Sequence, residues 1–136
     1  MKTAVRYYSK SGNTKLLAEA VGSAVGVSAE PVSEPLAERT EILFLGSSVY
    51  AGTPDPEVIG FIRSNASRIG RIVLFGSSAS GKSTYSKIKT AAETEGVPVN
   101  PEYFFCPGKF LFMHKGRPNE SDLTSVAEFA AKFADN

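Results

Sequence analysis

Tyr7-Tyr8-Ser9-Lys10-Ser11-Gly12-Asn13-Thr14 is the stretch on which the reading of this chain turns. It follows a short β-prone run, Ala4–Tyr8, and leads into a helical pattern that starts near Asn13 or Thr14. Ser9, Ser11 and Thr14 bring hydroxyls and Asn13 an amide. Gly12 lets the main chain curl, so that successive N–H groups converge on an anion. The positive end of the following helix adds to the same field. The bland alternative is an ordinary Ser/Asn-rich helix cap.

Working outward, apolar runs alternate with helical patterns along the whole chain. Ile42–Leu45, Ile72–Phe75 and Tyr103–Cys106 are continuous apolar runs, the pattern of parallel strands buried on both faces. Val25–Val32 is a weaker edge-strand candidate, interrupted by Glu30 and ended by Pro31. Leu17, Val21, Ala24 and Val25 share one face of the first helix. Thr53-Pro54 reads as a cap with proline at the first helical position, ahead of Val58, Phe61 and Ile62. Ser83 or Thr84 caps a third helix carrying Tyr85, Ile88 and Ala92 and stopped at Gly96. Asn119 and Asp122 form a capping box without its usual glutamate, before a helix that buries Leu123, Val126, Ala127, Ala130, Phe133 and Ala134. With no repeat, low-complexity tract or linker, residues 1–136 read as one doubly wound α/β domain.

Two more glycine- and serine-rich segments follow strands. Leu45-Gly46-Ser47-Ser48-Val49-Tyr50-Ala51-Gly52 follows the third and Leu74-Phe75-Gly76-Ser77-Ser78-Ala79-Ser80-Gly81 the fourth. Residues 7–14 resemble the Ser/Thr-x-Thr-Gly-Asn-Thr phosphate loop of flavodoxins, and the two later segments lie where that family places its flavin-contacting loops. The resemblance covers nearly the whole chain and points to a short-chain member. It implies a five-stranded parallel sheet of order 2-1-3-4-5 in a three-layer sandwich, with FMN as cofactor. It places the phosphate on Ser9, Lys10, Ser11, Gly12, Asn13 and Thr14. The flavin ring and ribityl chain would meet Ser48, Val49, Tyr50, Ala51 and Gly52 on one side, and Gly76, Ser77, Ser78, Ala79, Ser80 and Gly81 on the other.

Chemistry supports these roles. A flavin ring is large, flat and mostly apolar, and Tyr50 supplies a stacking surface; its bland role is a half-exposed aromatic at a strand end. By resemblance the Ala51–Gly52 carbonyl turns toward flavin N5, and glycine at 52 eases that rotation. The other loop departs from the family, because residues 77–81 contain no aromatic to cover the outer flavin face. Phe110-Leu111-Phe112-Met113-His114 is a candidate lid or a piece of core. His114 is the only histidine, and a lone histidine reads as structural or exposed rather than catalytic.

Competing motifs fit the chain less well. Gly76–Ser83 matches the G-x-x-x-x-G-K-[ST] pattern of a nucleotide P-loop and follows a strand. After Ser83, however, no apolar strand ends in the aspartate that would hold magnesium, and the remaining chain is short for a P-loop core. A phosphoacceptor receiver needs acids at the end of the first strand, where Tyr7-Tyr8-Ser9 stands. A cysteine phosphatase needs an arginine six residues after its cysteine, and Phe112 stands six after Cys106. No G-x-G-x-x-G is present, which leaves a dinucleotide site unsupported.

Composition sets the outer bounds. The chain has 136 residues, 42% hydrophobic, with a net charge of +1, which gives no polyanion signature and argues against nucleic acid. A single cysteine forms no internal disulfide, and one cysteine with one histidine makes a poor metal site. Lys2 and Arg6 interrupt the N-terminus and no run approaches membrane length, so a cytoplasmic protein without membrane insertion is expected. Charge is unevenly spread. Arg63, Arg68, Arg71, Lys82, Lys87 and Lys89 meet no acid between Val58 and Ala92, while acids dominate from Leu16 to Glu57. Solvated helix faces explain this most simply; a polarised surface that orients a partner is the sharper reading.

The resemblance implies an electron carrier working between redox partner proteins, with no catalytic residues and no substrate of its own. The runner-up is an FMN-dependent reductase of quinones or similar acceptors, with the open flavin face admitting substrate. The third reading is a flavin-free interaction module on the same fold.

Overall fold

The two long apolar runs become the centre of the sheet. In the computed structural model, which describes residues 2–9, 12–49, 54–78, 85–107 and 118–134, β3 (Thr40–Val49) and β4 (Ile69–Ser78) pair in parallel. Ile42 to Ser47 and Ile72 to Ser77 are buried throughout, which requires a covering layer on each face. β1 (Thr3–Tyr7) and β2 (Ala29–Pro31) extend the sheet on one side and β5 (Val99–Pro107) on the other, all parallel, in the order β2-β1-β3-β4-β5. This is the order expected from the resemblance.

Helices α1 (Asn13–Val25) and α4 (Glu120–Ala134) cover one face. Leu17, Ala18 and Val21 of α1 and Val126 and Ala130 of α4 pack with Val5, Phe44, Val73 and Phe75. Helices α2 (Pro56–Asn65) and α3 (Tyr85–Thr94) cover the other, where Val58, Phe61, Ile62, Ile88 and Ala92 meet Leu43, Leu45, Ile72 and Leu74. Successive strand residues thus serve opposite cores, as a period of two dictates.

Several local expectations need correction. The edge strand shrinks to Ala29–Pro31 because α1 runs on through Val25 and ends at Gly26, whose φ of 78° is a left-handed cap. The apolar stripe of α1 includes Ala18 and Gly22 but not Ala24, which is exposed. A Cβ on Gly22 would lie 2.6 Å from the Val27 carbonyl oxygen, so glycine lets the helix close onto the turn into β2. Helix α2 begins after Asp55, with Pro56 in its first turn, rather than after Thr53-Pro54. Tyr103 is 45% exposed although it sits in an apolar run, because β5 is the edge strand.

The capping box of α4 forms as read. Asn119 N–H donates to Asp122 Oδ2 at 2.8 Å, and Asp122 N–H donates to Asn119 Oδ1 at 3.0 Å. The segment between β2 and β3 is fastened from both sides. Arg6 Nε donates to the Glu34 carbonyl at 2.8 Å, and Leu36 N–H donates to Asn65 Oδ1 at 3.0 Å. The basic run from Val58 to Ala92 is partly answered by acids outside it, since Arg63 lies 3.7 Å from Glu95. Among the described residues no helix is long and apolar enough to cross a membrane, and no cluster of histidine, cysteine and acidic side chains could hold a metal ion.

Candidate functional site

At the switch point, α1 leaves β1 for one face of the sheet and α2 leaves β3 for the other, opening a crevice at the carboxyl ends of the strands. The end of β1 is held from both neighbours. Tyr8 N–H donates to the Gly46 carbonyl at 3.2 Å, and Val32 N–H donates to the Tyr7 carbonyl at 2.8 Å. Ser9 follows directly. Its Oγ accepts a hydrogen bond from Gly12 N–H at 3.0 Å, which turns the chain back on itself and leaves the hydroxyl proton of Ser9 pointing elsewhere.

Gly12 sits at φ 91°, a left-handed conformation that glycine adopts without steric cost. It is the N-cap of α1, and the cap carries no side-chain hydrogen bond. The first helical bond runs from Leu16 N–H to the Gly12 carbonyl at 3.1 Å, so the earlier amides stand outside the helix's own ladder. No acidic residue occupies the first turn of α1, whereas α2 has Glu57 there and α4 has Glu120 and Asp122. The positive pole of α1 is therefore not neutralised by its own helix. Lys15 in the same turn adds a positive charge.

Thr14 occupies a different place from that of an exposed ligand. It is completely buried, and its Oγ1 lies 3.2 Å from Ser77 Oγ, with either hydroxyl able to donate. Gly46 makes this possible. A Cβ at that position would lie 2.9 Å from the Thr14 methyl and 2.6 Å from the Phe75 ring. On the neighbouring strand, a Cβ at Gly76 would overlap the Ser47 carbonyl oxygen and reach within 2.8 Å of the Phe105 ring. The same tripeptide, Gly-Ser-Ser, stands one residue short of the end of β3 at residues 46–48 and ends β4 at residues 76–78, and both glycines allow close packing.

A cavity of about 470 Å³ opens beside this turn, lined by Tyr7, Tyr8, Ser9, Gly12 and Lys15 with Pro31, Val32, Ser33 and Glu57. Its size falls in the range of small-molecule sites. Lys15 and Glu57 place one charge of each sign on its rim. Asp55, the N-cap of α2, is only 5% exposed.

Of the residues expected to form the site, the structure brings Ser9, Gly12, Asn13, Thr14 and Ser77 to one edge, with the backbones of Ser48, Val49 and Ser78 on the neighbouring strand ends. Gly76 faces Phe105 across the β4–β5 pair. Lys10, Ser11, Tyr50, Ala51, Gly52, Ala79, Ser80 and Gly81 lie outside the described residues, as do the candidate lid, Phe110 to His114, and the caps Ser83 and Thr84. Tyr85 opens α3 and stacks on Tyr103, with centroids 4.7 Å apart. The sequence reading missed Gly46 as the residue that seats Thr14, and missed the part of Tyr8, Lys15 and Glu57 in the cavity. The repeated Gly-Ser-Ser was the available signal for the first.

The molecule is therefore a doubly wound α/β protein with the first turn of α1 at its switch point. More narrowly, its fold is flavodoxin-like. A short-chain flavodoxin associated with a non-canonical PDU bacterial microcompartment superposes with a TM-score of 0.71 at 21% identity, over 98% of this chain and 99% of that one. A flavodoxin from Bacillus cereus gives 0.73 at 18%, over 98% and 97%. The flavodiiron core from Synechocystis gives 0.72 at 20%, over 97% of this chain and 34% of that much longer one. No family model and no curated protein matches the sequence.

Proposed function

We propose that this protein binds FMN at the carboxyl edge of its sheet and carries electrons between redox partner proteins. The observation that carries the reading is the first turn of α1. It has a left-handed Gly12, no side-chain cap and no acid, and it opens beside a cavity at the switch point. An anionic group completes such a turn. The donor set fits a phosphate: Ser9 keeps a hydroxyl proton to give, the first-turn amides surround the helix end, and Lys15 is near.

FMN, when bound, supplies the one- and two-electron chemistry. The chain's own part is binding and orientation. Ser9, Lys10, Ser11, Gly12, Asn13 and Thr14 hold the phosphate end. Ser48 to Gly52 and Gly76 to Gly81 belong to the two loops that flank the ring, with Tyr50 as the stacking surface. The close packing at Gly46 and Gly76 fixes the strand ends from which both loops start.

The reductase reading draws on one feature, the lack of an aromatic in residues 77–81, which would leave a flavin face open to a small acceptor. Reconstitution separates the readings. With FMN, the protein should take on the yellow spectrum of a bound flavin and pass electrons from a flavoprotein reductase to cytochrome c. It should show no turnover of its own with NADH or NADPH and a quinone. Turnover without an added reductase would establish the enzyme, and failure to bind flavin would leave the interaction module.

A further inference from the structure

Ser77 lies on β4, and Thr14 lies in the first turn of α1, 63 residues earlier. Between them in the sheet stands β3, with Gly46 beneath Thr14. The Thr14 methyl sits where a larger residue at 46 would place its Cβ, and the Thr14 hydroxyl reaches past β3 to the Ser77 hydroxyl at 3.2 Å. Both side chains are buried, Thr14 fully and Ser77 to 4% exposure. A buried polar pair of this kind is held by its mutual bond, because neither hydroxyl has bulk water as an alternative.

Resting on the FMN reading above, we propose that Ser77 is a positioning residue for the phosphate turn rather than a ring contact. Its hydroxyl latches Thr14, and through Thr14 it fixes the first turn of α1 against β4. The amides and the Ser9 hydroxyl that meet the phosphate are thereby held in one geometry before any ligand arrives. Ser77 then governs how strongly the protein prefers a phosphorylated flavin over the same flavin without phosphate. Gly46 is the permissive element, since a Cβ there would lie 2.6 Å from the Phe75 ring and 2.9 Å from the Thr14 methyl, and something must shift.

The test compares FMN and riboflavin by fluorescence titration in the parent, Ser77→Ala, Thr14→Ser, Thr14→Val and the Thr14→Val/Ser77→Ala pair. The latch predicts that Ser77→Ala lowers the FMN-over-riboflavin preference about tenfold, the size of one lost buried hydrogen bond. Riboflavin affinity should stay within about twofold of the parent on the same ground. Thr14→Ser, which keeps the hydroxyl, should retain the preference, and the double variant should be no worse than the poorer single. If Ser77→Ala weakens both flavins equally, Ser77 is a ring contact. If it changes neither, there is no latch. Should Ser77→Ala fail to fold, Ser77→Cys keeps the volume with a weaker donor and should give an intermediate loss of preference; an unchanged preference overturns the proposal. A parent that binds neither flavin defeats the FMN reading instead. The latch is then decided by thermal unfolding of the flavin-free double-mutant cycle, where coupled losses support it and additive losses refute it.

Discussion

Helices α1 and α4 lie side by side on one face of the sheet, yet their N-termini are finished in opposite ways. At α4 the helix closes on itself: Asn119 and Asp122 exchange bonds at 2.8 and 3.0 Å, and Glu120 and Asp122 set negative charge against the positive pole. At α1 the cap is a glycine at φ 91° whose own N–H goes to Ser9 Oγ, it has no side chain to bond the first-turn amides, and the first turn is free of acids. The two ends answer to different needs. An end that serves stability alone is satisfied locally and at once. The end of α1 forgoes that stabilisation, which is the pattern the proposed phosphate site requires. Its position agrees, because it opens onto the cavity at the switch point.

Substitutions at the two ends should therefore separate binding from stability. The largest effect is expected at Ser9. Ser9→Ala removes both the bond to Gly12 N–H and a hydroxyl donor, and a lost hydrogen bond to a charged group amounts to about 1.5–3 kcal/mol. FMN affinity should fall about ten- to hundredfold, with riboflavin affinity little changed, as isothermal calorimetry would report. An equal loss for both flavins would detach the α1 end from the phosphate.

Next comes Gly12→Ala. The added methyl meets nothing within 4 Å, so only the left-handed backbone is penalised, by about 1–2 kcal/mol. The cost should appear in thermal unfolding, and bound FMN should recover part of it by mass action. Asn119→Ala provides the contrast at α4. It should lower stability by about 1 kcal/mol while FMN affinity stays the same. A change in flavin binding there would erase the distinction between the two ends. The smallest effect belongs to Lys15→Glu, which places at α1 the kind of charge that α2 and α4 already carry. FMN binding should weaken about two- to fivefold, and the loss should shrink as salt is raised.

The same two ends show how far local sequence can be read. The α4 box lies within four consecutive residues, and its chemistry is complete in them, so it was legible. The central strands were legible too, because β3 and β4 are buried on both faces and show it as unbroken apolar runs. The strand order came from the resemblance of residues 7–14 and the two later loops, not from spacing. What escaped was decided by distant contacts. Thr53-Pro54 and Asp55-Pro56 are equally good helix starts in isolation, and the bond from Val58 N–H to the Asp55 carbonyl at 3.0 Å shows which one is used. The burial of Thr14 was not legible from the phosphate-loop pattern to which it belongs. Its partner Ser77 comes from another strand, which no window around residue 14 contains. Tyr103 read as buried because an apolar run does not reveal which strand lies at the edge.

Whether the end of α1 binds a phosphate is tested by a paired titration of the flavin-free protein with FMN and with riboflavin. The two ligands share ring and ribityl chain and differ only in the phosphate. The account predicts FMN binding at least about a hundredfold tighter, the equivalent of about 2.7 kcal/mol carried by the turn from Ser9 to Thr14. Equal affinities for the two flavins would contradict it.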